Sequence, residues 1–235
     1  MYTFEYPGGK PFFVTKETVE KTPHTFSLSN GIWEPMAIRY FYNLVAQKHN
    51  NKDAVIVDVG AQSGLFSLYA KFLPECKFLA FEPFEDSYNL LVENAKINDI
   101  KNIVMYKGAC GSKTEQKLLH VPEHLGLNTL GDTPTRFSTW KDIQVNVVKL
   151  DDILLNEKSF DYLKCDTEGW EYHVLKGAEE SIRKWKPELF LEINGDNLAQ
   201  CSLNEDVLVD YLKSLDYCRI DLKDDENAHF TYRGP

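Results

Sequence analysis

The chain has 235 residues, of which 43% are hydrophobic and 26% are charged, and its formal net charge at pH 7 is −10. This composition is typical of one globular domain with a sizeable core and argues against a disordered chain. An acidic surface repels phosphate groups and anionic lipids, so we expect neither a nucleic acid nor a membrane as a partner. A small or neutral ligand suits this charge better.

The five cysteines are scattered along the chain, and none of them forms a C-x-x-C pair. This pattern is typical of reduced thiols inside a cell rather than of a zinc site. No apolar run reaches the ~18 residues that span a bilayer. The N-terminus lacks the charged start and apolar block of a signal peptide, so we expect a cytoplasmic location.

Residues 1–50 differ from the rest of the chain, because aromatic residues are interspersed there with glycine and proline. After the turn at Asn30 and Gly31 the pattern predicts a helix over 34–48, with Pro35 in its first turn. The aromatic residues have no place in the repeating pattern that follows. We therefore predict that 1–50 forms a helical lid or cap segment, or a subunit contact, beside a main domain at 51–235.

From residue 54, short apolar runs alternate with amphipathic segments, which is typical of a parallel sheet with helices on both faces. The segment 108–149 interrupts this alternation with hairpin-like pieces. In such sheets ligands bind beyond the carboxyl ends of the strands, so functional residues are expected there. The predicted strands are 54–59, 78–81, 103–106, 162–166 and 188–193, the helices 63–72, 85–98, 172–185 and 207–215, and the closing hairpin 218–222 and 228–232.

The first predicted strand continues into a D-x-G-x-x-x-G turn that contains Asp58, Gly60 and Gly64. Glycines at a strand-to-helix turn allow a positive φ and let a ligand approach the backbone closely. A dinucleotide site would have G-x-G-x-x-G instead, so the acid beside this loop favours a ligand with an amino group and a sulfonium charge. A plain tight turn between strand and helix is the alternative interpretation.

Glu82 ends the second predicted strand. An acid about 20 residues beyond a glycine loop is well placed to accept hydrogen bonds from the two hydroxyls of a ribose. An exposed loop glutamate is the alternative, but the combination with the glycine turn favours ligand binding.

Carboxylates occur where the last two parallel strands are predicted to end: Asp166 and Glu168 after one, Glu192 within the other. Charges at the mouth of buried strands are costly unless they have a role, so these three are candidate general bases. His173 and His124 are weaker candidates. The structural alternatives are a helix cap and first turn for the first pair, and the solvent end of a strand for Glu192.

Several stretches around these residues resemble the FkbM-type family of methyltransferases. The D-x-E-G-x-E core followed by L-K-G is the specific part of this resemblance, which spans about residues 30–195 in the order of the family. Thr167 departs from the family pattern, in which an aliphatic residue is commoner, and 111–149 has no strong family pattern, so we expect that segment to determine the substrate. The matching stretches are 57–67 (VDVGAQSGLFS), 80–94 (AFEPFEDSYNLLVEN), 150–154 (LDDIL), 162–178 (YLKCDTEGWEYHVLKGA), 188–194 (ELFLEIN) and the approach to the first strand at Trp33 and Glu34.

The resemblance implies an S-adenosylmethionine-dependent O-methyltransferase with the Rossmann-like class I α/β fold, whose mostly parallel seven-stranded sheet ends in an antiparallel hairpin. Members of the family act on hydroxyl groups of sugars, glycans and natural products, so a small-molecule or glycan acceptor is expected. A magnesium or manganese ion on the carboxylates is the alternative to a general base, and no residue is assigned as a metal ligand. The predicted cofactor site is Asp58, Gly60, Ala61, Gln62, Ser63, Gly64, Glu82, Pro83, Ala109 and Asp166, and the predicted catalytic residues are Asp166, Glu168, Glu192 and His173.

Three other functions fit parts of the pattern. An NAD(P)-dependent oxidoreductase would need the missing G-x-G-x-x-G sequence. A non-catalytic binding module of the same fold would not need the carboxylates after the central strands. A nucleic-acid methyltransferase is disfavoured by the net charge of −10 and by the missing Asn/Asp-Pro-Pro-aromatic motif of base-modifying enzymes.

Overall fold

A seven-stranded sheet lies at the centre of the computed structural model, which describes residues 1–49, 52–122, 127–132, 138–222 and 226–234. Along the chain the strands are β1 (Tyr2–Tyr6), β2 (Lys10–Val14), β3 (Phe26–Ser27), β4 (Gly31–Ile32), β5 (Lys52–Val59), β6 (Glu75–Phe81), β7 (Ile103–Tyr106), β8 (Ala109–Cys110), β9 (Glu115–Pro122), β10 (Trp140–Val148), β11 (Tyr162–Cys165), β12 (Glu188–Glu192), β13 (Tyr217–Asp221) and β14 (Asn227–Tyr232).

The central sheet has the strand order β13-β14-β12-β11-β5-β6-β7. The neighbours from β12 to β7 pair in parallel, whereas β14 is antiparallel to both β12 and β13. The prediction of a mostly parallel sheet with a C-terminal antiparallel hairpin is therefore confirmed. The apolar run in β5 exists because this strand is covered on both faces, and Val57 is completely buried.

Helices cover both faces of the sheet, as the alternating pattern predicts. They are α1 (Lys16–Lys21), α2 (Pro35–His49), α3 (Glu85–Ile97), α4 (Leu150–Leu154), α5 (Glu171–Lys176), α6 (Glu179–Trp185), α7 (Gly195–Gln200) and α8 (Glu205–Lys213), together with a 3-10 helix at Ser67–Phe72.

The structure differs from the sequence-based predictions at three places. The helix predicted over 63–72 is a turn followed by the 3-10 helix at Ser67–Phe72. The helix predicted over 172–185 is divided into α5 and α6. Gly177 lies between them, and a Cβ on this residue would be only 1.9 Å from the backbone oxygen of Gly111. The short helix α7 was not predicted, and its first turn is capped by the Asn194 side chain.

The N-terminal segment contains two hairpins, β1–β2 and β3–β4, in addition to the helices α1 and α2. Its aromatic side chains are part of the main core rather than only a cover: Phe12 and Phe26 are completely buried, and they share one cluster with Phe66 and Phe78 of the central domain. The predicted helix over 34–48 is present as α2. The segment is not helical throughout, because it contains these two hairpins, and its aromatic side chains contribute to the hydrophobic core beside β5 and β6. Its role as a lid or cap stays a prediction.

Replacing Tyr6 with Phe tests how firmly this segment is integrated. The Tyr6 hydroxyl donates a hydrogen bond of 2.5 Å to the backbone oxygen of Leu65 inside the core. Its loss leaves a buried acceptor without its donor, so we expect the free energy of unfolding to fall by about 1–2 kcal/mol in urea titrations. An unchanged free energy would indicate a segment that separates from the domain before global unfolding.

The interruption at 108–149 is a second sheet in which β10 pairs with β8 on one side and with β9 on the other. Leu119 of β9 and Val147 of β10 are buried in the same core cluster as β11 and β12. This sheet therefore extends the core past the strand ends. Among the described residues, no helix has the length and apolar character needed to cross a membrane.

Candidate functional site

A cavity of about 390 Å³ opens at the carboxyl ends of β5, β6 and β11. The strand order reverses between β5 and β11, and this is where ligands bind in open α/β sheets. Of the residues predicted from sequence, those that line the cavity are Asp58, Gly60, Ala61, Gln62, Glu82, Pro83, Ala109, Asp166, Glu168 and Glu192.

The glycine turn has the backbone geometry that its sequence predicts. Gly60 has a φ of +81°, and a Cβ at this position would lie 1.8 Å from the backbone oxygen of Asp166. Gly60 and Ala61 donate their backbone N–H groups to the oxygen of Phe81. The turn therefore holds the ends of three strands together, and only glycine allows the chain of β11 to pass so close.

Asp58 lies at the bottom of the cavity and is 2% exposed. Its Oδ2 accepts a hydrogen bond of 2.6 Å from the Ser67 hydroxyl, whereas its Oδ1 has no hydrogen-bond partner among the described residues. Burial raises the pKa of Asp58, and the nearby Lys164 acts against this shift. A buried oxygen of this kind is costly, so a ligand that donates a hydrogen bond to it would be favoured.

Glu82 is 5% exposed and accepts hydrogen bonds from the backbone N–H groups of Gln62 at 2.9 Å and Phe84 at 2.8 Å. Burial raises the pKa of this carboxyl to about 7, although the two backbone donors oppose the shift. The bonds fix the carboxylate beside the glycine turn. Each oxygen keeps acceptor capacity for a further donor in the cavity.

Lys164 is the main site residue that the sequence argument missed. Its ammonium is 3.2 Å from Asp166 Oδ2 and 3.9 Å from Asp58 Oδ1, and it lies 4.9 Å from the centre of the Phe66 ring. Burial would lower its pKa, but the carboxylates around it raise the pKa overall, so the lysine stays charged. A lysine inside the apolar strand sequence YLKC was the available signal.

The three predicted carboxylates are close together. Oxygen atoms of Asp166, Glu168 and Glu192 lie within 4.8 Å of one another. Asn197 is the side chain that joins two of them, since its Nδ2 donates to Glu168 at 2.8 Å and to Glu192 at 3.3 Å. Oxygen ligands at this separation could hold one divalent cation.

Glu192 is the member of this cluster that burial affects most. Burial raises its pKa far above the usual value for a glutamate, and repulsion from Asp166 and Glu168 raises it further. Burial therefore favours the protonated form of Glu192. Glu168 itself adopts a φ of +54° before Gly169, whose missing Cβ makes room for the backbone of Asn197.

Three predicted residues lie elsewhere. Ser63 and Gly64 belong to the glycine turn but do not line the cavity, and a Cβ on Gly64 would meet the Leu91 side chain at 2.8 Å. His173 is also absent from the cavity wall, because its ring stacks on Trp170 with 3.8 Å between ring centres. This position does not support a general-base role. His124 falls outside the described residues.

The cavity wall also contains residues to which the sequence analysis gave no role. Trp33 and Glu34 reach it from the N-terminal segment, Leu130 from the insertion, and Asn194 from the end of β12. They lie far apart in the sequence, so local patterns could not place them together. The resemblance at Trp33 and Glu34 was the one available signal.

Comparisons with known proteins point to one family. The family model described as "Methyltransferase FkbM domain" matches residues 58–218. The methyltransferase sdnD of Sordaria araneosa is 30% identical, over 56% of this chain and 66% of that protein. The chain therefore spans slightly less than two thirds of the length of that relative.

Two solved structures share the fold. The methyltransferase FkbM of Methylobacillus flagellatus KT superposes with a TM-score of 0.52 at 21% identity and covers 77% of this chain and 44% of that chain. SMU.1697c of Streptococcus mutans, a putative methyltransferase in complex with SAH, has a TM-score of 0.51 at 9% identity and covers 83% and 97%. These similarities confirm the Rossmann-like class I methyltransferase fold, and the match to the family model over most of the chain shows that it belongs to the FkbM methyltransferase domain family.

Proposed function

We propose that the chain binds S-adenosylmethionine and transfers its methyl group to a hydroxyl oxygen, on a sugar or glycan. The observation that carries the proposal is that one cavity is lined by both predicted groups of residues. The glycine turn and Glu82 line this cavity. The carboxylates Asp166, Glu168 and Glu192 line it as well, and Lys164 contacts Asp166.

The polar atoms of the cavity suit the chemistry of this cofactor. The oxygen of Asp58 that has no hydrogen-bond partner fits an ammonium group or another donor. Glu82 has acceptor capacity for two ribose hydroxyls. The excess of carboxylates favours a ligand with a sulfonium charge over a dinucleotide with a pyrophosphate. The SAH in the Streptococcus mutans structure of the same fold supports the same ligand class.

S-adenosylmethionine, when bound, supplies the electrophilic methyl carbon. A sugar hydroxyl is a poor nucleophile, so the protein must orient it and accept its proton. Asp166 and Glu168 are the candidates for accepting this proton, while burial favours a protonated Glu192, which could donate a hydrogen bond. Asn197 and Lys164 hold these carboxylates in position.

A divalent ion on the three carboxylates remains the alternative way to activate the hydroxyl, since their oxygen atoms lie close enough together to share one. The chain belongs to a methyltransferase family, which argues against the alternative of an NAD(P)-dependent oxidoreductase. A cytoplasmic location and a small-molecule or glycan partner stay predictions.

Replacing Glu82 with Ala tests the cofactor site. The change removes the acceptors for the ribose hydroxyls, so we expect the binding free energy for S-adenosylmethionine to weaken by about 1.5–3 kcal/mol in calorimetry. Because burial raises the pKa of Glu82 to about 7, the carboxylate is ionised above that pH. Affinity of the native protein should therefore increase from about pH 6 to about pH 8, and this dependence should vanish in the variant.

Glu85→Ala is the matched control, since Glu85 is exposed and does not line the cavity. It should bind S-adenosylmethionine and its demethylated product as the native protein does. Binding of NAD by the native protein, with neither sulfur compound bound, would refute the proposed function.

A further inference from the structure

The charge of the cavity wall restricts which acceptor can enter. Lys164 is the one Lys or Arg among the described lining residues, and it is already shared between Asp58 and Asp166. In the described part of the wall, carboxylates would repel phosphates and acidic sugars, and the ammonium of Lys164 is already shared between two of these carboxylates. The carboxylates on this wall are those of Glu34, Asp58, Glu82, Asp166, Glu168, Glu192 and Glu226.

Trp33 is the aromatic side chain that the cavity presents to solvent. It is 59% exposed and yet lines the cavity, whereas Asp58 and Glu82 in the predicted cofactor site are 2% and 5% exposed. This difference in depth places Trp33 at the mouth, outside the part of the cavity suited to the cofactor. An exposed tryptophan at the rim of a cavity is typical of a binding surface.

The backbone around Trp33 is fixed to the cofactor loop. The N–H of Trp33 donates to the oxygen of Thr25 at 2.9 Å, and the Thr25 hydroxyl donates to Gln62 Oε1 at 2.8 Å. Glu34, the next residue, also lines the cavity and has a φ of +45°. The backbone that carries the indole is therefore fixed to the cofactor loop, and the next residue along the chain also contributes to the cavity wall.

An exposed indole at the rim of a cavity lined by carboxylates suits a neutral sugar ring. A pyranose exposes C–H bonds on its face, which pack against an indole, and hydroxyl groups on its edge, which donate to carboxylates. Resting on the proposed function, we propose that the acceptor is an uncharged glycosyl group that stacks on Trp33. Repulsion from the carboxylates of the wall should make nucleotide sugars and sugar phosphates poorer acceptors.

The test compares Trp33→Ala with the native protein on two acceptors, an aryl glucoside and uridine diphosphate glucose. The native protein should methylate the aryl glucoside and give at least about tenfold less product from the nucleotide sugar. In Trp33→Ala the KM for the glucoside should rise roughly tenfold, because a stacked contact is lost. The dissociation constant for S-adenosylmethionine should stay unchanged.

Trp140→Ala is the matched control, because Trp140 is 42% exposed and does not line the cavity. It should leave both constants as they are. Equal methylation of the nucleotide sugar, or an unchanged KM in Trp33→Ala, would overturn the acceptor proposal while hydroxyl methylation stands. Weaker cofactor binding with an unchanged KM would show instead that Trp33 covers the cofactor. Failure to methylate any hydroxyl acceptor would refute the proposed function itself.

Discussion

Replacing Asp166 with Asn is expected to lower turnover by about a hundredfold or more, with little change in affinity for S-adenosylmethionine. Asparagine keeps the shape of the side chain but cannot take up the proton of the acceptor hydroxyl. Glu168→Gln should have a similar effect if Glu168 is the base, because both side chains line the same cavity. The assay combines turnover, cofactor calorimetry and thermal unfolding of each variant.

Asp196→Asn is the control for charge alone. Asp196 is an exposed carboxylate in α7, close in sequence to Asn197, and it does not line the cavity. This variant should retain native turnover. A drop in turnover for Asp166→Asn that is matched by a large drop in melting temperature would mean that the residue is structural.

A chelator separates the two ways in which the carboxylates could act. If they bind a divalent ion, native activity should collapse with chelator and return with magnesium or manganese. If one of them is the general base, chelator should leave native turnover unchanged while the amide variants stay slow. Native turnover in both amide variants would remove Asp166 and Glu168 from the mechanism.

The sequence predicts the parts of this site that depend on neighbouring residues. The turn at Gly60 and the acid at Glu82 follow from one strand-loop-helix unit each, so spacing alone places them at the same sheet edge. The end of β11 was equally visible, because Asp166 and Glu168 stand directly after a short apolar strand. Both kinds of signal are local.

The parts that sequence analysis missed depend on contacts between distant segments. Asn197 joins Glu168 and Glu192 only because α7 packs against Gly169. Lys164 is visible as a lysine in a strand, but its role depends on the register that pairs it with Asp58 across the sheet. No periodicity reveals such pairings.

The N-terminal segment shows the same limit. Its aromatic residues suggest a separate cover because they do not follow the βα pattern, yet Phe12 packs in one cluster with Phe78 of β6. A composition shift along the chain therefore does not mark a structural boundary here. The residues of the segment that line the cavity are His24, Thr25, Trp33 and Glu34.

Gly60→Ala is expected to be the most damaging small substitution in the cofactor loop. The new methyl group would lie 1.8 Å from the backbone oxygen of Asp166, at a φ of +81°. Left-handed strain costs about 1–2 kcal/mol and overpacking about 1–3 kcal/mol, so the free energy of unfolding should fall by roughly 2–5 kcal/mol. At about 2–4 °C per kcal/mol, this lowers the melting temperature by roughly 4–20 °C.

The same substitution should also disturb function beyond its effect on stability. Asp166 donates its backbone N–H to Val59 at 3.1 Å, so pushing β11 away from β5 moves the carboxylate as well as the glycine turn. Gly195→Ala is the matched control, because no atom lies within 4 Å of its added Cβ. The control should change stability by less than about 1 kcal/mol. Equal melting temperatures and equal cofactor affinities for the two variants would show that the close approach of Gly60 to Asp166 is not required.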